Sequence, residues 1–218
     1  MTITTSDENR FQTDISAFHA QIFEDQCYPA GVKNIVDRLA ERKDIDGMSM
    51  SLSEVNEICG YKRGLQCEED LIPPRLTDAL HDFGYEAVEM TAPEMDIEQL
   101  RSVIEDEDTS LPLVELDPQY FELVSERIDG YHVQPSPERE LAHVVIPFKI
   151  NSEEVLYYDP YEKYHEKQPG VEDVPYRWPL VSFYELWSGD YEERWTLWLG
   201  RRGHKITDIM ERSGEVQE

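Results

Sequence analysis

The stretch QIFEDQCYPAGVKNIVDRL, residues 21–39, decides how the rest of the chain is read. Val32, Ile35, Val36 and Leu39 fall at the i, i+3, i+4, i+7 spacing of one helix face. Pro29 fits only near the start of such a helix, where its missing N–H has no partner to lose. Cys27 therefore stands near the helix N-terminus, where unpaired N–H groups and the positive end of the dipole favour a thiolate over a thiol. That makes Cys27 a candidate nucleophile. The competing reading is a buried structural cysteine, the ordinary fate of a lone one. The choice rests on the company Cys27 keeps.

Composition bounds the possibilities. A chain of 218 residues suits one domain, or one compact domain with two lobes. With 47 acidic and 20 basic residues the formal charge is −27, which repels phosphates and argues against nucleic acid or an anionic membrane as partner. Acidity spread along the whole chain also fits a surface adapted to high salt, where screening removes the self-repulsion. A halophilic protein is the preferred reading. Three cysteines, Cys27, Cys59 and Cys67, make no even disulfide framework and point to a reducing compartment. The start, MTITTSDENR, lacks the basic and apolar regions of a signal peptide. No apolar run approaches the roughly 18 residues that span a bilayer. A cytoplasmic, soluble protein is expected.

Periodicity and punctuation divide the chain. Residues 1–10 read as a flexible N-terminus, residues 11–203 as a single domain and residues 204–218 as a flexible tail. Within the domain, about 11–110 reads as a helical lobe and about 111–203 as a β lobe. After a short helix or turn at 11–23, the main helix runs to about Arg42. Further helices are expected at Ser53–Cys59, at Arg75–Phe83 behind Pro73-Pro74, and at Asp96–Ile104, with a short strand at Tyr85–Met90. Then the period changes. LPLVEL (111–116) and LAHVVIPFKI (141–150) read as core strands, and Glu154–Tyr158 as the hairpin partner of the second. An amphipathic stretch is expected at 120–128 and a loop at 161–179. Phe183–Trp187 should form a helical turn and Arg194–Gly200 a last strand. The fold class is α+β.

A cysteine nucleophile needs a base in hydrogen-bond reach, a group that orients the base, and donors for an oxyanion. His143 lies within a strand and Asp159 ends its hairpin partner, so both should come to one edge of a sheet. The order Cys27, His143, Asp159 supplies nucleophile, base and orienter. Gln21, six residues before Cys27, can donate from its amide beside the Cys27 backbone N–H.

These residues resemble a known family. Gln21-x5-Cys27 opening a helix, a helical first half, and a strand with His143 followed sixteen residues on by Asp159-Pro160 look like the papain-like cysteine peptidases that process double-glycine leader peptides in bacteriocin exporters. The serine-led helix near 53–59, the glycine loop at 64, Phe83-Gly84-Tyr85, and LPLVEL are similar too, so the likeness runs from about 18 to 160. The resemblance implies a papain-like fold. It also implies Gln21 as oxyanion donor, Cys27 as nucleophile, His143 as general base and acid, and Asp159 as the residue orienting His143. A peptide or protein substrate would be attacked at a carbonyl and held as an acyl-enzyme.

Three features depart from the family pattern. Tyr28-Pro29 replaces the usual glycine after the cysteine and puts a ring where it could crowd the substrate. The interval from Cys27 to His143 is long, with the excess expected in 117–140. No transporter is attached, so an exported leader peptide is not implied. No cofactor is called for. The spacing of Cys59 and Cys67 is not one that zinc uses, and no His-x3-His accompanies them, so no metal is expected. Cys59 reads as core and Cys67 as a spectator. His19 is a second possible base or a surface residue, and His132, His165 and His204 read as solvated. The aromatic set Phe183, Tyr184, Trp187, Tyr191, Trp195 and Trp198 fits core packing better than a substrate groove. Two alternatives stay open beside the hydrolase: a papain-like module that binds a peptide or partner without cleaving it, and an acyl transferase of transglutaminase type.

Overall fold

The computed structural model describes residues 18–23, 25–63, 67–117, 119–120, 123, 143–161, 176–189 and 193–203. The expected flexible ends, most of the 120–128 stretch, and Gly64, His132, His165, Tyr191 and His204 lie outside the described residues.

Helix α1 spans Cys27–Lys43. Its apolar face, Val32, Ile35, Val36, Leu39 and Ala40, is buried, and Arg42 and Lys43 in the last turn suit the negative end of its dipole. Helix α2, Leu52–Ile58, opens one residue earlier than expected because Ser51, outside the helix, is the cap: Ser51 Oγ accepts from Glu54 N–H and Glu54 Oε2 accepts from Ser51 N–H. Helix α3 is Ile72–Leu80, so Pro73 and Pro74 sit inside its first turn, where N–H groups have no helical partner anyway. A 3-10 turn, His81–Phe83, carries the chain to Gly84 at φ 79°. Strand β1 is Tyr85–Met90. Asp96 caps helix α4, Ile97–Glu105, and stands outside it.

Strands β2 (Leu113–Leu116), β3 (His143–Ile150) and β4 (Glu154–Tyr158) follow. The sequence reading of 161–179 as loop is corrected at its end: Tyr176–Pro179 is strand β5, paired antiparallel with β4. Such pairing is invisible to local pattern, because the partner is the open edge of a hairpin some twenty residues earlier. Pro179 stops the strand, and helix α5, Leu180–Trp187, begins at once and is longer than the helical turn expected. The last strand, β6, is Thr196–Arg201. It starts after Arg194, whose φ of 60° is incompatible with an extended strand.

The sheet order is β1-β6-β2-β3-β4-β5, and its pairings are antiparallel. Helices cover both faces. Alternation along the strands sends Leu113, Val144, Ile146, Leu156, Leu197 and Leu199 to a core shared with α1, α2 and α3. Val114, Val145, Val155, Tyr157 and Trp198 turn to a second core with α4 and α5. A bulge between Pro147 and Lys149 inserts one residue and reverses the alternation, so that Ile150 joins Val155 on the second face. Phe183, Trp187, Trp195 and Trp198 are all buried in these cores, as core packing required. Among the described residues no helix is long and apolar enough to cross a membrane.

Candidate active site

Cys27 is the first residue of α1, half-buried at the helix mouth. The first-turn N–H groups have no partner within the helix, and they point toward whatever sits at its start. Two features hold that mouth against the sheet. Gly31 lets α1 approach β2 closely, since a Cβ there would run into Leu113 Cδ1. Asn34, buried on the next turn, donates from Nδ2 to the carbonyls of Ala30 and His19 (both 2.9 Å) and accepts from His19 N–H at 2.6 Å. The segment before the helix is thereby stapled along α1.

That same segment is tied to the far end of the hairpin. Gln21 N–H donates to Pro160 O at 2.8 Å, and Phe18 stacks on Tyr158 with ring centroids 4.4 Å apart. Gln26, the N-cap position of α1, accepts from Ile22 N–H and donates to Asn56 Oδ1, each at 3.0 Å. The effect is to bring residues 21–27 and residues 158–160 to one place although some 130 positions of sequence separate them.

His143 opens β3 and Asp159 directly follows β4, so the antiparallel hairpin sets them side by side. His143 Nε2 and Asp159 Oδ1 are 2.6 Å apart, at 1% and 0% exposure. Asp159 Oδ1 also accepts from Tyr161 N–H at 2.8 Å, and Oδ2 accepts from Tyr120 Oη–H at 2.9 Å. Burial by itself works against a charged imidazole here. The adjacent Asp159 carboxylate, with a smaller contribution from hydrogen bonding and charge at Cys27, outweighs it, and His143 holds its proton well above the ordinary histidine range. Because Asp159 engages Nε2, Nδ1 is the nitrogen through which His143 can exchange a proton with the Cys27 thiol.

Four residues singled out in the sequence thus converge, though not equally. Cys27, His143 and Asp159 form a linked set. Gln21 is adjacent through the Pro160 bond and 1% exposed, with its side-chain Nε2 donating to Phe23 O at 2.9 Å. Tyr28 does not crowd the approach to Cys27. Its ring is 5% exposed, packs edge-on against Trp195, and its hydroxyl donates to Glu115 Oε2 in β2. Burial, then the Glu115 charge, push its ionisation well above the usual phenol value. The other cysteines are held as thiols: Cys59 is fully buried and raised by that burial, and burial pushes Cys67 up to about 12. His19 stands apart on the surface, its Nε2 3.0 Å from Asp37 Oδ2. Among the described residues no cluster of three or more His, Cys, Asp or Glu side chains is arranged to hold a metal ion.

Sequence reasoning missed the three tyrosines around the pair. Tyr120 lies parallel to the His143 ring (5.5 Å, 18°) and Tyr161 stands edge-on to it (6.4 Å, 86°). The Tyr157 hydroxyl is 3.0 Å from that of Tyr120. Tyr161 had one signal, its place two residues after Asp159. Tyr120 had none.

A cysteine-headed helix packed on an antiparallel sheet with a His–Asp pair at its end is the arrangement of the papain-like cysteine peptidase fold, and this α+β chain has it. No family model matches the sequence, and no curated protein matches it in sequence. Solved structures do. A Bacillus anthracis protein whose assignment as a C39-like peptidase is itself provisional aligns with a TM-score of 0.52 at 12% identity, over 86% of this chain and 95% of that one. The peptidase domain of Streptococcus ComA, described as a bifunctional ABC transporter involved in a quorum-sensing pathway, aligns with a TM-score of 0.47 at 14% identity, over 84% and 97%. The likeness to the Bacillus structure is one of fold.

Proposed function

We propose that the protein is a thiol hydrolase that cleaves a peptide amide bond through a Cys27 acyl-enzyme. The observation that carries this reading is the buried 2.6 Å contact between His143 and Asp159 beside the half-exposed first residue of α1. A thiol at a helix mouth beside a protonated imidazole has the surroundings of a nucleophile. Cys27 Sγ attacks the carbonyl carbon as its proton resides on His143. The carbonyl π pair moves onto oxygen, and the oxyanion is met by the Cys27 backbone N–H and the Gln21 amide, one of whose N–H groups is directed by Phe23 O. The C–N bond then breaks as His143 gives its proton to the departing amine. Water, deprotonated by His143, attacks the thioester, the C–S bond breaks, and the carboxylate leaves. Asp159 keeps the ring oriented throughout. The C39-like likeness favours a peptide or protein substrate. The acidic surface is read as an adaptation to high salt, and assays belong in that medium.

The test is alkylation with a limiting thiol reagent between pH 5 and 9, with the modified residue mapped by mass spectrometry in wild type and His143→Ala. Cys27 should react first, continue well below the free-thiol pKa of about 8.5, and slow sharply without His143. Indifference of Cys27 to His143 would leave a non-catalytic peptide-binding module. Transfer of the acyl group to an added amine in preference to water would instead mark an acyl transferase.

A further inference from the structure

We propose that Tyr120 is a positioning residue of this site: its phenol, backed by Tyr157, fixes Asp159 as the charged member of the pair and so keeps the shared proton on His143. The inference rests on the thiol-hydrolase reading.

One proton between a histidine and an aspartate can sit in two places. Either the imidazolium faces a carboxylate, or a neutral imidazole faces a carboxylic acid. Both arrangements carry the same net charge. Where water is excluded, as at His143 and Asp159, the choice falls to the donors that the carboxylate finds in the protein. Oδ1 is taken by His143 and by the Tyr161 N–H, which is backbone and would be present whatever residue stood at 161. Among the described residues Tyr120 is a side-chain donor to Oδ2. A hydroxyl proton aimed at Oδ2 stabilises the carboxylate, and a carboxylic acid would have to displace it.

Tyr120 is built to donate in that direction. Its hydroxyl proton goes to Asp159, so in the 3.0 Å contact with Tyr157 it is the Tyr157 hydroxyl that donates and Tyr120 that accepts. A chain of two phenols ending on a carboxylate polarises each link in the same sense. The ring serves a second purpose, since it lies almost parallel to His143 and closes that face of the imidazole. Among the described residues, the titratable groups around the pair include Cys27 from α1, Tyr120 beyond β2, Tyr157 within β4 and Tyr161 beyond it. The plain alternative is that Tyr120 fills the second core, where it also meets Trp178 at 5.8 Å. Phenylalanine satisfies that role as well as tyrosine does and so separates the two.

The experiment reads the ring 15N shifts of His143 by NMR at pH 6 to 7, where the pair holds its one proton, on protein labelled with 15N-histidine, in wild type, Tyr120→Phe and Tyr157→Phe. It is paired with Cys27 alkylation rates at the same pH. A hydrogen bond to a charged group is worth a factor of about ten to a hundred in such an equilibrium. In Tyr120→Phe the ratio of proton on His143 to proton on Asp159 should therefore fall about ten- to a hundredfold, the ring shifts should move from imidazolium toward neutral imidazole, and Cys27 alkylation should slow. Tyr157→Phe keeps the Tyr120 bond to Asp159 and should move His143 the same way by less. Ring shifts that stay at the wild-type position in Tyr120→Phe overturn the inference. So do unmoved shifts in Tyr157→Phe should Tyr120→Phe fail to fold. Moved ring shifts in a protein whose Cys27 ignores alkylators support the role of Tyr120 at the pair and remove the hydrolase reading. His143-dependent alkylation with unmoved shifts does the reverse.

Discussion

Replacing Asp159 with asparagine should change the sign of one contribution to the pH dependence of stability. The substitution is almost isosteric. The amide oxygen can still accept from His143 Nε2–H and Tyr161 N–H, while its NH2 faces a Tyr120 hydroxyl free to turn toward Tyr157. What is lost is the charge. In the native chain His143 is raised to about 10 although burial opposes it, because Asp159 and Cys27 favour the imidazolium. An unfolded histidine titrates near 6.5. A folded value above the unfolded one gives stabilisation that is complete below about pH 6.5 and is lost as pH rises through the folded value. Between about pH 7.5 and 9 the folded chain holds up to one more proton than the unfolded chain, a slope of about 1.4 kcal/mol per pH unit. Without Asp159, burial prevails and His143 stays neutral over that window. The stability advantage of Asp over Asn should therefore shrink by up to about 2 kcal/mol from pH 7.5 to 9. The comparison is made between Cys27→Ser and Cys27→Ser with Asp159→Asn, so that no thiol proton enters; losing the smaller Cys27 contribution lowers His143 somewhat, which makes about 2 kcal/mol a ceiling. Urea unfolding, followed through the buried tryptophans in high salt, reads it out. Groups common to both chains cancel. A difference that stays constant with pH would refute the argument that Asp159 holds a proton on His143.

Two further outcomes test the scaffold. Gly31→Ala drives a methyl into Leu113, which is itself fully buried, so the variant should lose about 1–3 kcal/mol by chemical denaturation; an unchanged midpoint would mean that α1 and β2 are not pressed together. Asn34→Ala strips partners from the His19 N–H and carbonyl and should cost about 1–3 kcal/mol in the same assay. Its diagnostic sign is faster proteolytic cutting within 18–23 while the remainder stays intact.

The parts of the fold legible in the sequence are those that local pattern dictates. Helix α1 announced itself through Val32, Ile35, Val36 and Leu39. Strand β1 was legible between Gly84 and the polar turn after Met90, and the β3–β4 hairpin through branched and aromatic residues around the Asn151 turn. Helix starts shifted by a residue or more because Ser51 and Asp96 cap from outside the helix, and because Pro73 and Pro74 are tolerated within a first turn. Strand β5 was not legible, since Tyr-Arg-Trp-Pro has strand character only once β4 offers it an edge. The candidate set was readable for the same reason the hairpin was: antiparallel pairing sets the start of one strand beside the end of the next. Tyr28 turned inward because Glu115, nearly ninety residues on, supplies an acceptor beneath the helix. Tyr120 was hidden for a like reason, its acceptor lying thirty-nine positions away.

The place of β6 in the sheet has a consequence for how the chain comes off the ribosome. Among the described residues strand β1 joins the rest of the sheet only through β6, which lies between it and β2 although it is the last described strand. A nascent chain thus emerges with β1 and β2 lacking the strand that links them, and the floor under α1 misses Leu197 and Leu199. At ~5–20 residues per second, Cys27 leaves the tunnel on the order of ten seconds before the hairpin with His143 and Asp159 does, and β6 comes later still. During that interval the thiol has neither its imidazole nor a finished floor. The Cys27 thiol therefore meets the His143–Asp159 pair only after most of the described chain has been made.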